Sequence, residues 1–418
     1  MLHERFEHIR HLFSALTGNA RVIVITESIA AIFYEWYGTY LPLYMLALGV
    51  DEMQIGLLSS VLVLTKLIST LLGGYVADRF GRKRTLVLFD ILCWGVPMFL
   101  YAIAQNPWYF FAGRLINGFV YVVLPSFECL FVEDVPVDRQ PAVFGALHFL
   151  SGGAKLLAPV AGLLVAWLGI VPAGRAITAI CMVSAVSMAI VRQFTMHETS
   201  VGKERMSAVK GIPLPALVRE YARAIRATFR IRRVRVFLAV RALGAFVTTT
   251  WVTYSVIYLA DARGVGLAEP AVAGLPFVSA LVSMAVILLA ADRLAQERIY
   301  GSLVAGQLLW LLGALVFVLA PVGSMGLVIL WAVCSALSKA LFGPAERSYW
   351  ASIIDDRERA QMFSASWALT SLVSLPAGPL AGALYVRFPK GPFLLGLALQ
   401  VVALVLILNL RTNSRKGA

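Results

Sequence analysis

Charged residues are scarce in this sequence. Asp, Glu, Lys and Arg make up only 14% of its 418 residues, and 60% are hydrophobic, whereas soluble globular domains are about 25% charged. The mean hydropathy is +0.80. A bilayer span needs about 20 mostly apolar residues, and such runs recur along the whole chain. The composition therefore excludes a soluble domain of any size and predicts a polytopic membrane protein.

Motifs for catalysis, metal binding and nucleotide hydrolysis are also missing. The four cysteines, Cys93, Cys129, Cys181 and Cys334, lie far apart in apolar runs, a spacing that favours neither a disulfide framework nor a metal site. No Walker-type loop, zinc-ligand motif or Gly-x-Ser-x-Gly turn occurs. We therefore expect no enzyme activity, no catalytic residues, no metal and no cofactor.

The apolar runs predict an all-α membrane protein with twelve transmembrane helices. The predicted spans are 21–47, 54–77, 85–104, 108–132, 142–168, 172–191, 236–260, 268–291, 300–320, 324–346, 361–386 and 392–410. One long polar connection separates the sixth from the seventh. The predicted domains are an N-terminal half of six helices (1–192), a linker (193–235) and a C-terminal half of six helices (236–418).

The distribution of Lys and Arg predicts the orientation. Of the 36 bases, 27 fall on the side that holds both termini, four fall on the other side and five lie inside spans. Cytoplasmic loops carry the excess of Lys and Arg. Both termini and the linker are therefore predicted to be cytoplasmic, in a cell (plasma or inner) membrane, and the net charge of +13 indicates topology rather than nucleic-acid binding.

The two halves resemble each other at nearly constant spacing. Asp78-Arg79 recurs as Asp292-Arg293, 214 residues later, and the Pro159 motif of span 5 recurs around Pro379 in span 11, 220 residues later. Pro125 recurs as Pro344 at a spacing of 219. Such repeats indicate two pseudo-symmetric six-helix halves, a common plan of transporters.

Arginines in the linker recur at intervals of three and four residues. They are Arg219, Arg223, Arg226, Arg230 and Arg233. This spacing places them along one face of a helix. Two interpretations are open: an interfacial helix that contacts anionic lipid headgroups, or a basic linker that only sets the topology.

The loop after the second span carries the most specific motif. Residues 74–84 read GYVADRFGRKR, which resembles the Gly-x-Leu-Ala-Asp-Arg-x-Gly-Arg-Lys signature of the major facilitator superfamily. We expect Gly74 and Gly81 to permit a tight turn or close helix packing, and Asp78 to pair locally with Arg82. The resemblance implies that Asp78, Arg79 and Arg82 belong to a gate that latches the two halves at the cytoplasmic face.

Two further motifs are partial matches to proton-coupled drug exporters. Arg114-Leu115-Ile116-Asn117-Gly118 resembles Arg-x-x-Gln-Gly, and the sequence after Leu157 resembles Gly-Pro-x-x-Gly-Gly with two glycines replaced. The resemblance implies that spans 1, 4, 7 and 10 line a central cavity, that spans 2, 5, 8 and 11 flank it, and that the others face lipid.

Charged residues inside spans usually have a function because they are costly there. The candidates for substrate or proton binding are Glu35, Lys66, Arg114, Glu128, Lys155 and Arg241. Lys339 also lies in a span, and Arg241 and Lys339 have no acid at comparable depth. Asp90, on a lipid-facing span, is assigned to the cytoplasmic charge cluster.

We therefore expect a monomeric secondary active transporter that moves a small organic solute by alternating access, and proton-coupled export is the leading hypothesis. Glu35, Glu128 and His148 can exchange protons. The alternatives are an uptake symporter or facilitator for a metabolite, and a non-transporting sensor on the same fold. Four bases around Glu35 favour an anionic substrate, unless Lys66 or Lys155 pairs with Glu35 and leaves a neutral pocket lined by aromatic residues.

The orientation can be tested by labelling. Cysteines placed at Ser207 and at Ala418 should react with an impermeant thiol reagent only from the cytoplasmic side, because both positions lie on the side with 27 bases. Reaction of either position from outside intact cells would reverse the predicted topology.

Overall fold

The computed structural model describes residues 16–136, 139–208, 226, 231–294, 299–353 and 359–412. These ranges contain twelve long helices and no strands. The helices are α1 Gly18–Ala47, α2 Glu52–Phe80, α3 Arg82–Ala102, α4 Pro107–Val132, α5 140–168, α6 Ile170–Thr195, α7 Arg232–Ala260, α8 269–294, α9 Ile299–Leu319, α10 Met325–Ser352, α11 359–387 and α12 Gly391–Thr412. A short linker helix, Ser200–Ala208, follows α6. Each predicted span corresponds to one of these helices, with its ends within four residues, except that α10 ends six residues later than predicted.

Eleven of the helices in the described ranges are long and apolar enough to cross a membrane. The remaining one is α1, whose 30 residues extend about 45 Å at 1.5 Å per residue. Its length suffices for a span, but Glu27, Glu35 and several Tyr and Trp residues lower its hydropathy. The long helix that is not among these eleven thus carries a candidate functional residue, Glu35.

The described residues form two compact units, and the boundaries of these units differ from those of the predicted halves. Met1–Gly49 and Ile68–Ile212 belong to the first unit, and Val50–Leu67 and Pro213–Ala418 belong to the second. The first half of α2 groups with the second unit because it packs on α7 and α11. Tyr254 Oη donates a hydrogen bond of 2.7 Å to Glu52 O, and Ser60 Oγ donates one to Leu375 O.

In the first unit, apolar side chains from α1, α3, α4 and α5 form a continuous core. Fully buried members include Ile23, Leu86, Phe131, Val143 and Ala146. Close packing of this kind gives most of the stability available inside a bilayer, where water supplies little drive for helices to associate.

Two helices are interrupted at equivalent positions of the repeat. In α5 the interruption is a single 3-10 turn, Lys155–Leu157. In α11 it falls between Ser374 and Ala377. The spacing of 220 residues between the two proline motifs maps residue 155 onto 375, so both halves are broken at the same point. This agreement supports the internal repeat predicted from the sequence.

In the second unit, Trp251 lies at the centre of an aromatic cluster. Its ring centroid is 5.1 Å from that of Trp310, 5.2 Å from Phe317 and 5.0 Å from Phe393. Trp251 is 7% exposed. Packing within the second unit therefore accounts for this residue better than stacking on a substrate.

Glycines in the second unit allow backbones to touch. A Cβ at Gly56 of α2 would overlap the carbonyl oxygen of Gly378 in α11, so neither position has room for a side chain. Gly306 of α9 also packs closely on α10, because a Cβ there would be 2.9 Å from the backbone nitrogen of Phe342. Small residues at such crossings are typical of membrane helices.

Gly56→Ala is therefore expected to lower the thermal stability of the purified protein, because overpacking costs about 1–3 kcal/mol. The facing carbonyl of Gly378 belongs to the backbone and cannot change rotamer to make room. Gly38→Ala in α1 is the matched control, since a Cβ there meets no described atom within 4 Å and alanine is the better helix former. Equal melting temperatures for the two variants would contradict the close α2–α11 packing.

Candidate functional site

The loop between α2 and α3 makes the tight turn expected of it. Gly81 has a φ of 90°, a conformation that residues with a side chain rarely adopt. A Cβ at Gly81 would lie 2.8 Å from Glu198 Oε2. Gly74 is different, because it lies inside α2 and a Cβ there would meet no described atom within 4 Å. The close helix approach belongs instead to Gly73, where a Cβ would be 3.1 Å from Val122 O.

The turn at Gly81 directs Arg82 into the first unit. Its buried guanidinium forms an ion pair with Glu133 at the end of α4 and donates to Thr199 Oγ1 at 3.3 Å. Thr199 Oγ1 in turn donates to Glu133 Oε2 at 2.6 Å. The predicted local pair of Asp78 with Arg82 is therefore wrong: Arg82 turns inward to α4. The gate role of Asp78 and Arg79 stays a prediction.

The start of the linker is fastened to the same end of the first unit. Lys83 donates its backbone N–H to Glu198 Oε2 at 3.0 Å. Asn19 Nδ2 at the start of α1 donates to His197 O at 2.9 Å, and His197 N–H donates back to Asn19 Oδ1 at 3.1 Å. Residues 197–199 thus join α1, α3 and α4 just before the linker helix begins.

A buried arginine that sequence reasoning missed connects three helices. Arg192 of α6 donates to Asp90 of α3 at 2.7 Å and to Glu27 of α1 at 2.8 Å. It also donates to Thr26 Oγ1 at 3.1 Å. Its side chain is 1% exposed and that of Asp90 is 5% exposed. Asp90 therefore belongs to a buried network rather than to the loop charges, and it needs this partner because an unpaired charge in a span is costly.

Two predicted site residues of the first unit form a pair. Lys155 Nζ lies 3.3 Å from Glu35 Oε2, and their side chains are 44% and 23% exposed. Lys155 opens the 3-10 turn of α5, and Trp36 Nε1 donates to Leu157 O in the same turn at 3.0 Å. The pair is thus built on an interrupted helix, the feature from which many transporter sites are made.

The Tyr37 and Tyr101 rings of the first unit stack with centroids 6.0 Å apart, and their hydroxyls interact with each other. Other buried polar atoms of this unit have no hydrogen-bond partner among the described residues, including the Tyr34 hydroxyl and Nε of Arg114. Buried polar atoms without partners are uncommon in proteins, so these groups are candidates for contact with a ligand.

The motif that begins at Arg114 has a structural function at its other end. Asn117 Nδ2 donates to Cys93 O at 2.8 Å. Cys93 lies in a π-helical turn of α3, Ile91–Gly95, which leaves carbonyl groups free to accept such a bond. Gly118 then begins a 3-10 segment of α4, Gly118–Val122.

Two candidate bases of the second unit have partners of their own. Arg241 Nε lies 3.3 Å from Glu346 Oε1, and its guanidinium is 5.2 Å from the centre of the Trp350 ring. Lys66 Nζ is 4.9 Å from the centre of the Trp367 ring. The expectation that Arg241 has no acid at comparable depth is therefore wrong: α10 continues to Ser352, so Glu346 lies within the helix.

The remaining candidates are placed as follows. Glu128 of α4, His148 of α5 and Lys339 of α10 have exposed side chains. The five regularly spaced linker arginines are called the arginine stripe below. Of these, Arg226 and Arg233 are described and exposed, whereas Arg219, Arg223 and Arg230 lie outside the described residues. The contact of this stripe with lipid stays a prediction.

A second charge cluster lies at the other end of α2, within the second unit. Arg263 pairs with Glu52 at 2.6 Å and with Asp261 at 2.8 Å, and Tyr385 Oη donates to Asp261 at 2.9 Å. Burial alone would raise the pKa of Asp261, but hydrogen bonds from Arg263 and Tyr385 outweigh it and lower the pKa below its usual value. The stabilisation this brings is present above the usual pKa of Asp and is lost as the pH falls through the lowered pKa.

Comparison with known proteins identifies the family. The family model described as Major Facilitator Superfamily matches residues 23–302, two thirds of the chain. The chain belongs to the Major Facilitator Superfamily. It is therefore a multi-pass membrane protein of a family of transporters and not a member of an enzyme family. The resemblance predicted from the motif at Gly74–Arg84 is confirmed.

Relatives and solved structures add detail. The multidrug resistance protein MdtG of Yersinia enterocolitica and that of Escherichia coli are each 33% identical over 132 residues, 30% of this chain and 32% of the relative. The match thus spans about a third of the length of these relatives. The structure of the nucleoside transporter NupG has a TM-score of 0.70 at 15% identity and covers 95% of this chain and 99% of its own. The structure of a POT family transporter in complex with 5-aminolevulinic acid has a TM-score of 0.71 at 16% identity, and the match covers 95% of this chain and 96% of that transporter. At such identities the two structures show the fold.

Removing the buried guanidinium is expected to destabilise the first unit. Arg192→Gln leaves Asp90 and Glu27 without their partner, and breaking a buried ion pair on one side costs about 3–5 kcal/mol. The double variant Arg192→Gln/Asp90→Asn should recover part of the loss in melting temperature. Arg263→Gln is the control, because its half-exposed pair contributes about 1 kcal/mol or less. An equal melting temperature for Arg192→Gln and the wild type would refute the structural role of the network.

Proposed function

We propose that this protein is a secondary active transporter that moves a small organic solute by alternating access, with proton-coupled export as its mode of action. The observation that carries the proposal is the Glu35–Lys155 ion pair at the interruption of α5. The names of the relatives, multidrug resistance proteins, support export, although they match over only a third of their length.

The two charge networks of the first unit differ in exposure. The Arg192 and Asp90 side chains are 1% and 5% exposed, so neither solute nor water reaches this ion pair without rearrangement, and only Glu27, at 29%, is partly exposed in that network. Glu35 and Lys155 are 23% and 44% exposed in the middle of a membrane-spanning unit. A transported solute needs polar groups that it can reach, and this pair provides an acceptor and a donor at one place.

The surroundings of the pair favour a solute with an aromatic or apolar body. Trp36 follows Glu35 in α1 and donates to Leu157 O in the turn that Lys155 begins. Tyr34, which precedes Glu35, has a hydroxyl with no partner among the described residues. Ligand sites of this kind combine an apolar lining with a few polar groups. An anionic substrate is less well supported, because Lys155 and Arg241 already have acidic partners.

Proton coupling follows from the chemistry of the same pair. A proton on Glu35 removes the charge of its carboxylate, which then no longer attracts a base or the donor groups of a solute. A solute that binds through the Glu35 carboxylate and a proton therefore compete for the same group, as an antiporter requires. We further propose that both termini face the cytoplasm and that Asp78 and Arg79 contribute to the cytoplasmic gate.

The function is tested by transport into proteoliposomes under an imposed pH gradient, with a panel of matched neutral, cationic and anionic compounds. Accumulation that depends on an acidic interior would support proton-coupled export. Accumulation driven by an acidic exterior would support uptake by symport. Transport of no compound in either direction would favour the sensor.

Glu35→Gln should abolish accumulation driven by the pH gradient while exchange of labelled for unlabelled solute persists, because glutamine cannot carry a proton but keeps the shape of the side chain. Glu204→Gln on the linker helix, an exposed position, is the matched control and should transport normally. Full accumulation by Glu35→Gln would move the coupling role to Glu128 or His148.

A further inference from the structure

A groove with a volume of about 800 Å³ opens on the first unit between the end of α2, the start of α3 and the linker helix. Three bases contribute to its lining, Arg79 from α2, Arg84 from α3 and Lys203 from the linker helix, and all three are exposed. Its lining contains no acidic residue. All the charged side chains that line the groove are therefore bases.

The rest of the lining is largely apolar. Phe80 and Leu88 are 56% and 62% exposed, and Phe89 and Met206 complete the apolar wall. Leu88 lies six residues after the start of α3, about 9 Å further along the helix. The groove thus runs from charged helix ends to side chains deeper in the span.

We propose that this groove binds an anionic phospholipid, with the phosphate between Arg84 and Lys203 and an acyl chain along Phe80 and Leu88. The arrangement matches the two parts of such a lipid, because bases attract anionic headgroups at the membrane surface and exposed apolar side chains in a span face acyl chains. A soluble anion would use the bases and leave the apolar wall uncovered.

The site differs from the arginine stripe of the linker. It is formed by residues of α2, α3 and the linker helix that the structure describes, and the stripe begins later in the sequence. A lipid in the groove would touch both α3 and the linker helix, and would fasten the linker helix to the first unit in addition to the contacts of Glu198 and Thr199. The inference needs only the membrane location of the chain and does not depend on which solute is transported.

The proposal is tested by measuring lipid binding to the purified full chain with native mass spectrometry, using phosphatidylglycerol and phosphatidylcholine with identical acyl chains. The wild type should bind phosphatidylglycerol more tightly. Arg84→Gln/Lys203→Gln should weaken that binding about 25-fold, since each base near an anionic headgroup contributes about fivefold. Arg205→Gln is the matched control, because Arg205 is exposed on the same linker helix but does not line the groove.

A second pair of variants tests the apolar wall. Leu88→Trp should fill the groove and weaken phosphatidylglycerol binding, whereas Leu92→Trp, one turn further along α3 and 42% exposed, should leave it unchanged. Equal binding of the two lipids, an equal loss in Arg205→Gln and the double variant, or displacement of phosphatidylglycerol by excess inorganic phosphate would each overturn the proposal. The last result would identify a site for small anions.

Discussion

A charged side chain inside the hydrocarbon of a bilayer costs about 2.5–3.5 kcal/mol on insertion scales, and this cost organises the interior of each unit. Arg192 is enclosed by Asp90 and Glu27, so that α1, α3 and α6 share one charge network. In the second unit, Arg241 and Glu346 link α7 and α10 in the same way. Ion pairs therefore fix helices that lie far apart in the sequence, in addition to the close packing of their apolar and glycine-rich surfaces.

The Glu35–Lys155 pair also satisfies the charges of residues inside spans, but it is less buried than the Arg192–Asp90 pair, and Lys155 lies where α5 is interrupted. The two sites differ most in the exposure of their bases. The Arg192 guanidinium is 1% exposed, between Asp90 at 5% and Glu27 at 29%, whereas the Lys155 ammonium is 44% exposed beside Glu35 at 23%. A base that solvent reaches can leave its partner at lower cost than a buried one, so we propose a structural role for Arg192 and a role in transport for Lys155 and Glu35.

The sequence predicts the twelve helices, the repeat and the turn at Gly81, because apolar runs, the spacing of similar motifs and a glycine between charged residues are visible locally. It also raises pairing of Glu35 with Lys155 as one of two alternatives. It does not reveal Arg192 as a buried residue, since an arginine at the end of an apolar run looks like a topology signal. The isolated acid Asp90 is the clue that a partner was needed. The same limit applies to Arg82 and Glu346, whose partners come from other helices.

The central claim is that solute binds at the Glu35–Lys155 pair. Gly152 lies three residues before Lys155 in α5, and a Cβ there meets no described atom within 4 Å, so Gly152→Cys can be introduced without disturbing the pair in a chain whose four native cysteines are replaced. A transported compound should slow the reaction of this cysteine with a water-soluble thiol reagent and leave that of Val322→Cys, in an exposed loop, unchanged. Unaltered labelling at position 152 under saturating solute would contradict the account.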